Sequence, residues 1–350
     1  MKAIRHKLVL FLLAAPLMLQ AAGDTKWKYK KEKKINKTYT VAPDAVLEVD
    51  NKYGDVYVTT WNENKTVIDV TITVSGNNEN NVEKRINSID VDFNGSNEVV
   101  SAKTRIGSSL WGKISMEINY TIKIPKGGST HIDNTYGGIR LGKINGITKL
   151  KCQYGSINIE ELNNTDNQIK MQYCNDSEIK YMKSGMVKAQ YSELEFDKID
   201  NADIKCEYTE MDIKTANQLN YQSGYGNVTI GSCRHVVGKS SYSNLEVNNV
   251  QQLLDVRVEY GNVSITTGKN VKNVNVDAMY TEVVLRYQQN TDFDFELEAK
   301  YGDIKGVDNF KIQTKEVKDF KSSYTGRFGN SGNAKISVNT AYGDIKMVKL

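Results

Sequence analysis

The sequence predicts an all-β fold: a parallel β-helix or β-solenoid of about 17–20-residue coils, with a β-rich N-terminal cap containing one short helix. Three observations carry this. A short phrase returns through residues 131–265 as NTYGGIRL, CQYGSINI, AQYSELEF, CEYTEMDI, SGYGNVTI, SSYSNLEV and VEYGNVSI. Its tyrosines fall at Tyr136, Tyr154, Tyr173, Tyr191, Tyr208, Tyr225, Tyr242, Tyr260, Tyr280, Tyr301, Tyr324 and Tyr342. They are mostly 17–19 apart, widening to 20–23 between Tyr260 and Tyr324. A fixed period of that size is the signature of stacked coils. Composition agrees, because 20 Tyr and 26 Gly with only 3 Pro favour strands and turns.

Taken in order, residues 1–22 read as a secretory signal peptide. Lys2, Arg5 and Lys7 precede the apolar run LVLFLLAAPLML, and Ala21 and Ala22 offer a cleavage point. The run is too short to span a bilayer comfortably. Residues 23–37 read as a flexible basic arm, with seven Lys against Glu32 between 26 and 37. From Thr38 onward acids slightly outnumber bases, which disfavours a nucleic-acid partner.

Residues 38–130 read as a β-rich capping module. Ala45–Thr60 and Val67–Val74 alternate as strands, and the repeat phrase already occurs at Tyr53. Asn77–Asn87, with Val82 and Ile86 four apart, suits one short amphipathic helix. Strands follow at Ile89–Phe93, Val99–Arg105 and Ser115–Ile124, and Pro125-Lys-Gly-Gly closes the module as a turn.

Residues 131–350 read as the solenoid. Four before each tyrosine stand Ile132, Leu150, Ile169, Val187, Ile204, Val256, Val276 and Leu297; two before stand Cys152, Met171, Ala189, Cys206, Ser223, Val258 and Ala278. Strand alternation puts these columns and the tyrosines on one inward face, so the tyrosines form a core ladder. After the tyrosine the apolar parity slips by one, at Ile139, Ile157, Leu194, Met211, Val228, Leu245 and Val263. A bend at the small residue after each tyrosine would repair the slip. The unit at Tyr173 carries three extra residues, which predicts a bulge.

Candidate chemistry is sparse. Lys151, Lys170, Lys188 and Lys205 form one polar column, continued by Lys239 and Arg257, and Glu193 and Glu210 belong to another. Stacked carboxylates approach the spacing used by retaining glycosidases, but solvated outward faces account for both columns. Of the four cysteines, Cys152 and Cys206 share the inward column yet lie three coils apart, too far to bridge. Cys174 is out of register with Cys152, so free buried thiols are expected. Cys233-x-His235 is a metal pair without partners. His131 and His235 are the histidines beyond the leader, little material for a hydrolytic centre. No catalytic residue, cofactor or metal is expected.

The phrase Y-G-[DSN]-[IV], the leader, and the opening TVAPDAVLEVDNKYGDVYVTTW resemble a family of exported bacterial envelope proteins, common in Bacteroidetes-type bacteria, regarded as candidate adhesins. NKYGDV at 51–56, NTYGGI at 134–139 and AYGDI at 341–345 carry the resemblance most clearly. It implies a stacked β-strand-repeat domain without catalytic residues to transfer. The expected function is an exported, non-enzymatic adhesin-like scaffold that binds a polysaccharide or envelope protein. The alternatives are a polysaccharide lyase or hydrolase on a β-helix, and a structural envelope protein that associates end to end. The expected location is the periplasm, the outer surface or the medium, with no stable membrane span after cleavage.

Overall fold

The computed structural model describes residues 27–108, 113–330 and 332–350; the expected leader lies outside the described residues. The N-terminal part holds β1 (Tyr29–Thr40), β2 (Val46–Lys52), β3 (Val56–Trp61), β4 (Lys65–Gly76), α1 (Glu79–Asn87), β5 (Ile89–Gly95), β6 (Val99–Ile106) and β7 (Ile114–Pro125). Next come β8 (Ser129–Thr135), β9 (Ile139–Ile144), β10 (Thr148–Gln153), β11 (Ile157–Leu162), β12 (Asn167–Gln172), β13 (Ser177–Gln190) and β14 (Glu193–Glu207). They continue in β15 (Glu210–Gly224), β16 (Val228–Ser241), β17 (Leu245–Glu259), β18 (Asn262–Thr267), β19 (Asn273–Met279) and β20 (Glu282–Tyr287). The chain closes with β21 (Phe293–Lys300), β22 (Ile304–Lys305), β23 (Lys311–Lys318), β24 (Lys321–Phe328), β25 (Lys335–Ala341) and β26 (Ile345–Lys349). Among the described residues the protein is nearly all β, with one helix, and its strands join in an open sheet.

The pairing follows the repeat. β10 runs parallel between β8 and β12, so Leu150 faces Ile132 on one side and Ile169 on the other. β11 likewise lies between β9 and β13. From β13 to β17 single strands of 14–15 residues carry both halves of a repeat, as where Leu194 faces Met211 and Ile204 faces Tyr221. The apolar columns before and after the tyrosines are buried throughout. Each Ile, Val or Leu so buried contributes about 1.5–3 kcal/mol, so a column of like residues is stabilised at every level.

The tyrosines themselves do not face inward. In the ladder from Tyr136 to Tyr280, and at Tyr301 and Tyr342, their exposure is 41–54%. All of them, and Tyr53, have positive φ, between 50° and 64°. Alternation assigns them to the core only if the backbone stays extended. A left-handed residue rotates its side chain out of that series and turns the strand at the same time. The corner is therefore made by the tyrosine, not by the small residue after it. That residue is small because the next level presses on it: a Cβ on Gly155 would meet the Gly137 carbonyl oxygen at 2.0 Å.

The N-terminal region departs from the expected division. Residues Tyr29–Lys37, expected as flexible arm, belong to β1, which pairs antiparallel with β4 along its whole length. Its lysines hid the alternation. Lys31 pairs with Glu83 on α1 and Lys33 reaches the Ile89 carbonyl, so charged heads are held while their stems cover the sheet. β2 and β3 pair in parallel with β8 and β9, so the stack begins at Tyr53, inside the region read as a cap. α1 forms where the helical spacing expects it. Asn78 caps it by accepting the Asn81 N–H, and Val82 and Ile86 bury against the sheet.

The C-terminal order also differs from the chain order. β25 lies between β19 and β21, and β26 between β20 and β22. The last repeat is thus inserted inside the stack. β24 then pairs antiparallel with β21, and β23 with β24. Tyr324 sits in β24, outside the left-handed series and buried. The interior at this end is closed by the aromatic cluster of Tyr287, Phe293, Phe310 and Phe328. The bulge after Tyr173 contains one extra residue rather than three: Ser177 faces Leu194, and Asp176 takes φ 51°.

Candidate functional site

The repeat places three ladders on the surface, and each has a different origin. The first is aromatic. The rings stack in the order Tyr53, Tyr136, Tyr154, Tyr173, Tyr191, Tyr208, Tyr225, Tyr242, Tyr260, Tyr280, Tyr342 and Tyr301, with centroids 4.7–5.1 Å apart and planes within 13°. Phe320 stacks beyond Tyr301. Each internal ring covers its neighbours' faces, which leaves edges and hydroxyls to solvent. Such a ladder braces the corners, and between its end rings Tyr53 and Phe320 it has no open face on which a sugar ring could stack.

The second ladder lies two residues after the tyrosine. Asp55 accepts the Gly138 N–H at 2.8 Å, Asp344 accepts the Asp303 N–H at 2.9 Å, and Asn244 accepts the Asn262 N–H at 3.0 Å. Glu210 belongs to this series. Its carboxylate accepts the Asn227 N–H at 3.2 Å and the Asn227 side chain at 3.3 Å. Glu193 faces Glu210 in register, and both are exposed. The chemistry Glu210 performs is turn capping: its side-chain oxygen satisfies the corner N–H of the next level. Inside the same corners, Asn51 and Asn134 donate to the Gly54 carbonyl, a role that the Asn of NKYGDV and NTYGGI signals in the sequence once the corner geometry is known.

The third ladder is cationic and lies on the outer face of the strands that precede the tyrosines. Lys151 faces Lys170, Lys170 faces Lys188, and Lys188 faces Lys205. Gln222, Lys239 and Arg257 continue the file. Beside it runs a file of amides, in which Gln153 donates to Gln172 at 3.1 Å and Gln172 to Gln190 at 3.5 Å. Three depressions of about 520, 320 and 410 Å³ lie along these strands. They adjoin at Lys151, Lys170 and Lys205 and form one shallow trough from β6 to β19. Eleven strands at about 4.8 Å make it roughly 50 Å long.

The strands that follow the tyrosines carry acids. Glu178, Glu195 and Asp197 bring their oxygens within 4.8 Å of one another. Lys214 already lies 2.5 Å from Glu195 and 2.6 Å from Asp197, and the two carboxylates hold its ammonium above the ordinary range. The group is an ion-pair network. His131 lies 3.7 Å from Glu48, while Cys233 points inward and His235 is half-exposed, so the Cys233-x-His235 pair does not converge.

All four cysteines are free and buried. Cys152 and Cys174, set aside as out of register, are neighbours: the Cys174 thiol donates to the Cys152 carbonyl at 3.4 Å. The adjacent Cys174 thiol and burial push the Cys152 thiol up, and burial pushes Cys206 and Cys233 up to about 12. Thiolate is the reactive form. Native protein is therefore expected to resist maleimide at pH 7 at Cys206 and Cys233 and to label there after denaturation. Rapid native labelling of either, read by peptide mass spectrometry, would contradict this packing.

The profile of one protein family, described as Toastrack DUF4097, matches residues 45–348. Among curated proteins none matches the chain. Among solved structures it is similar to a candidate cell-adhesion protein of Clostridium sporogenes, at 9% identity over 91% of this chain and 100% of that one, with a TM-score of 0.19. It is also similar to a candidate adhesin of Parabacteroides distasonis, at 14% identity over 73% and 97% of the two chains, TM-score 0.36. A candidate lipid-binding protein of the same species aligns at 9% identity over 90% and 96%, TM-score 0.33. No enzyme family is indicated by these matches. Among the described residues no helix is long and apolar enough to cross a membrane.

Proposed function

The chain belongs to the Toastrack DUF4097 family, and from its surfaces we propose that it is an exported, non-enzymatic binding scaffold of the bacterial cell envelope. The supporting observation is the trough that runs over eleven successive strands. Enzyme pockets are concave and few, and they gather polar groups at one point. Here the polar groups repeat along a line instead, which is the geometry for an extended partner held by many weak contacts.

We read the architecture as a parallel β-solenoid whose coils of 17–20 residues are set by the tyrosine spacing. The leader over 1–22 and its cleavage are part of this proposal, as is a division into an N-terminal capping region and a repeat domain. The rung carrying Tyr53 is counted with the repeats. Glu193 and Glu210 serve as surface corner groups in this reading, so a lyase or hydrolase built on them is the weaker alternative.

The test is a glycan-array screen of protein beginning at residue 27, which keeps β1 intact. Binding to a polymeric glycan that is retained in Glu193→Gln/Glu210→Gln is the expected result. Saturable glycan turnover that those two substitutions abolish would overturn it.

A further inference from the structure

The lysine file is costly to the sheet that carries it. Like charges directly opposite on neighbouring strands destabilise the pairing. Beyond the Glu193–Glu210 pair, the corner file relieves such contacts. Glu210 is followed in its file by Asn227, Asn244 and Asn262, joined by side-chain hydrogen bonds. Ion pairs close both ends of the trough, Lys103 with Asp50, Lys151 with Asp133, and Arg257 with Asp277. Among the described residues none of these pairs reaches Lys170, Lys188 or Lys205. Of these three cations in successive register positions, Lys170 and Lys188 are left to find an anion outside the protein.

The neighbouring amide file indicates which anion. Within the file Gln153 uses one donor, Gln190 one acceptor and Gln172 one of each, and all three keep further N–H and oxygen positions for a partner. A line of cations beside a line of amides suits a chain that carries carboxylates and hydroxyls at a regular interval. The interval is the strand spacing, about 4.8 Å, close to the length of one sugar ring in an extended polymer. Single-stranded nucleic acid would call for aromatic platforms, and the central depression has no aromatic lining.

We propose that the trough over β10, β12, β13 and β14 binds a linear acidic polysaccharide of the polyuronate class. Carboxylates lie on Lys170 and Lys188, and hydroxyls on Gln153, Gln172 and Gln190; the amide file ends at Glu207 beside Lys205, which closes the subsite there. This rests on the binding-scaffold reading and gives it a ligand class.

The experiment compares the protein beginning at residue 27 with its Lys170→Gln/Lys188→Gln and Lys170→Arg/Lys188→Arg variants. Polygalacturonate is the probe, dextran the neutral control, and vesicles of phosphatidylglycerol with phosphatidylcholine the lipid control. The expected result is polygalacturonate binding that weakens with salt. It falls about 30-fold in the glutamine variant, at roughly a fivefold loss per lysine, and persists in the arginine variant. The glutamine variant should melt at the same temperature or slightly higher, because the repulsion is gone. Equal polygalacturonate affinity in wild type and the glutamine variant would overturn the proposal. So would tighter lysine-dependent binding to the vesicles, or lysine-dependent self-association through the acidic face of a second copy. Dextran binding without polygalacturonate binding overturns this ligand class and leaves the scaffold reading standing. Absence of binding to every glycan overturns both.

Discussion

Tyr208→Ala is expected to lower stability by about 2–3 kcal/mol, and Tyr208→Gly by about 1 kcal/mol less, a reversal of the usual order of Ala and Gly in strands. The ring stacks on Tyr191 at 4.8 Å and on Tyr225 at 4.7 Å. An offset-stacked pair contributes about 0.5–1.5 kcal/mol beyond its buried area, and both variants lose two such pairs. The backbone at 208 has φ 52°. A residue with a Cβ pays about 1–2 kcal/mol to stay there, and glycine does not. In the native protein the stacking offsets this backbone strain, so both follow from one residue. Urea unfolding of the three proteins checks the order. Should the alanine variant prove as stable as the glycine variant, the left-handed corner is not where the energy lies.

That corner also explains what could be read in the sequence and what could not. The inward columns are legible because a buried face must be apolar at every level, and a period near eighteen residues sets their register. Spacing alone places Leu150, Ile169, Val187 and Ile204 in the core, and all are buried. Alternation places Tyr208 in the core, but alternation holds only for extended backbone, and Tyr208 has φ 52°. A tyrosine is a rare occupant of the left-handed region, where glycine and asparagine are expected. The strain becomes tolerable only through ring stacking between levels, a long-range effect that no local window contains.

The surface files show the same division. Lys151 to Lys205 could be collected into one column because the period dictates their register. The amide file beside them was not recognised, since Gln153, Gln172 and Gln190 carry no chemistry until they are seen hydrogen-bonded in a row. Glu193 and Glu210 looked like a carboxylate pair on spacing. Only the Asn227 N–H at Glu210 reveals a capping role. The contact between Cys174 and Cys152 was hidden by the extra residue after Tyr173, which shifts the register by one. For Tyr208 the missing information was which side of the corner the side chain takes, and that depends on φ at a single residue.

Deletion of residues 333–350 should produce the largest effect, because the last repeat of the chain is not the last level of the stack. Were the levels in chain order, trimming the C-terminus would fray one edge and spare the rest. Here β25 supplies the parallel partner of both β19 and β21, and Tyr342 stands between Tyr280 and Tyr301. The deletion removes the buried side chains of Ile336, Val338, Ile345 and Met347. At about 1.5–3 kcal/mol each this amounts to roughly 6–12 kcal/mol of burial. It also strips β21 of its parallel contact, and β21 is what holds β24, which in turn is the strand that pairs β23. Hydrogen exchange should therefore show protection lost from Phe293 through Phe328 as one unit. Levels between Tyr136 and Tyr242 should stay protected, since each depends on its nearest neighbours. Retained protection across Phe293–Lys300 would mean that β21 can dock directly on β19. The inserted repeat would then be replaceable, and the order of levels would be a preference of the intact chain, not a requirement of the fold.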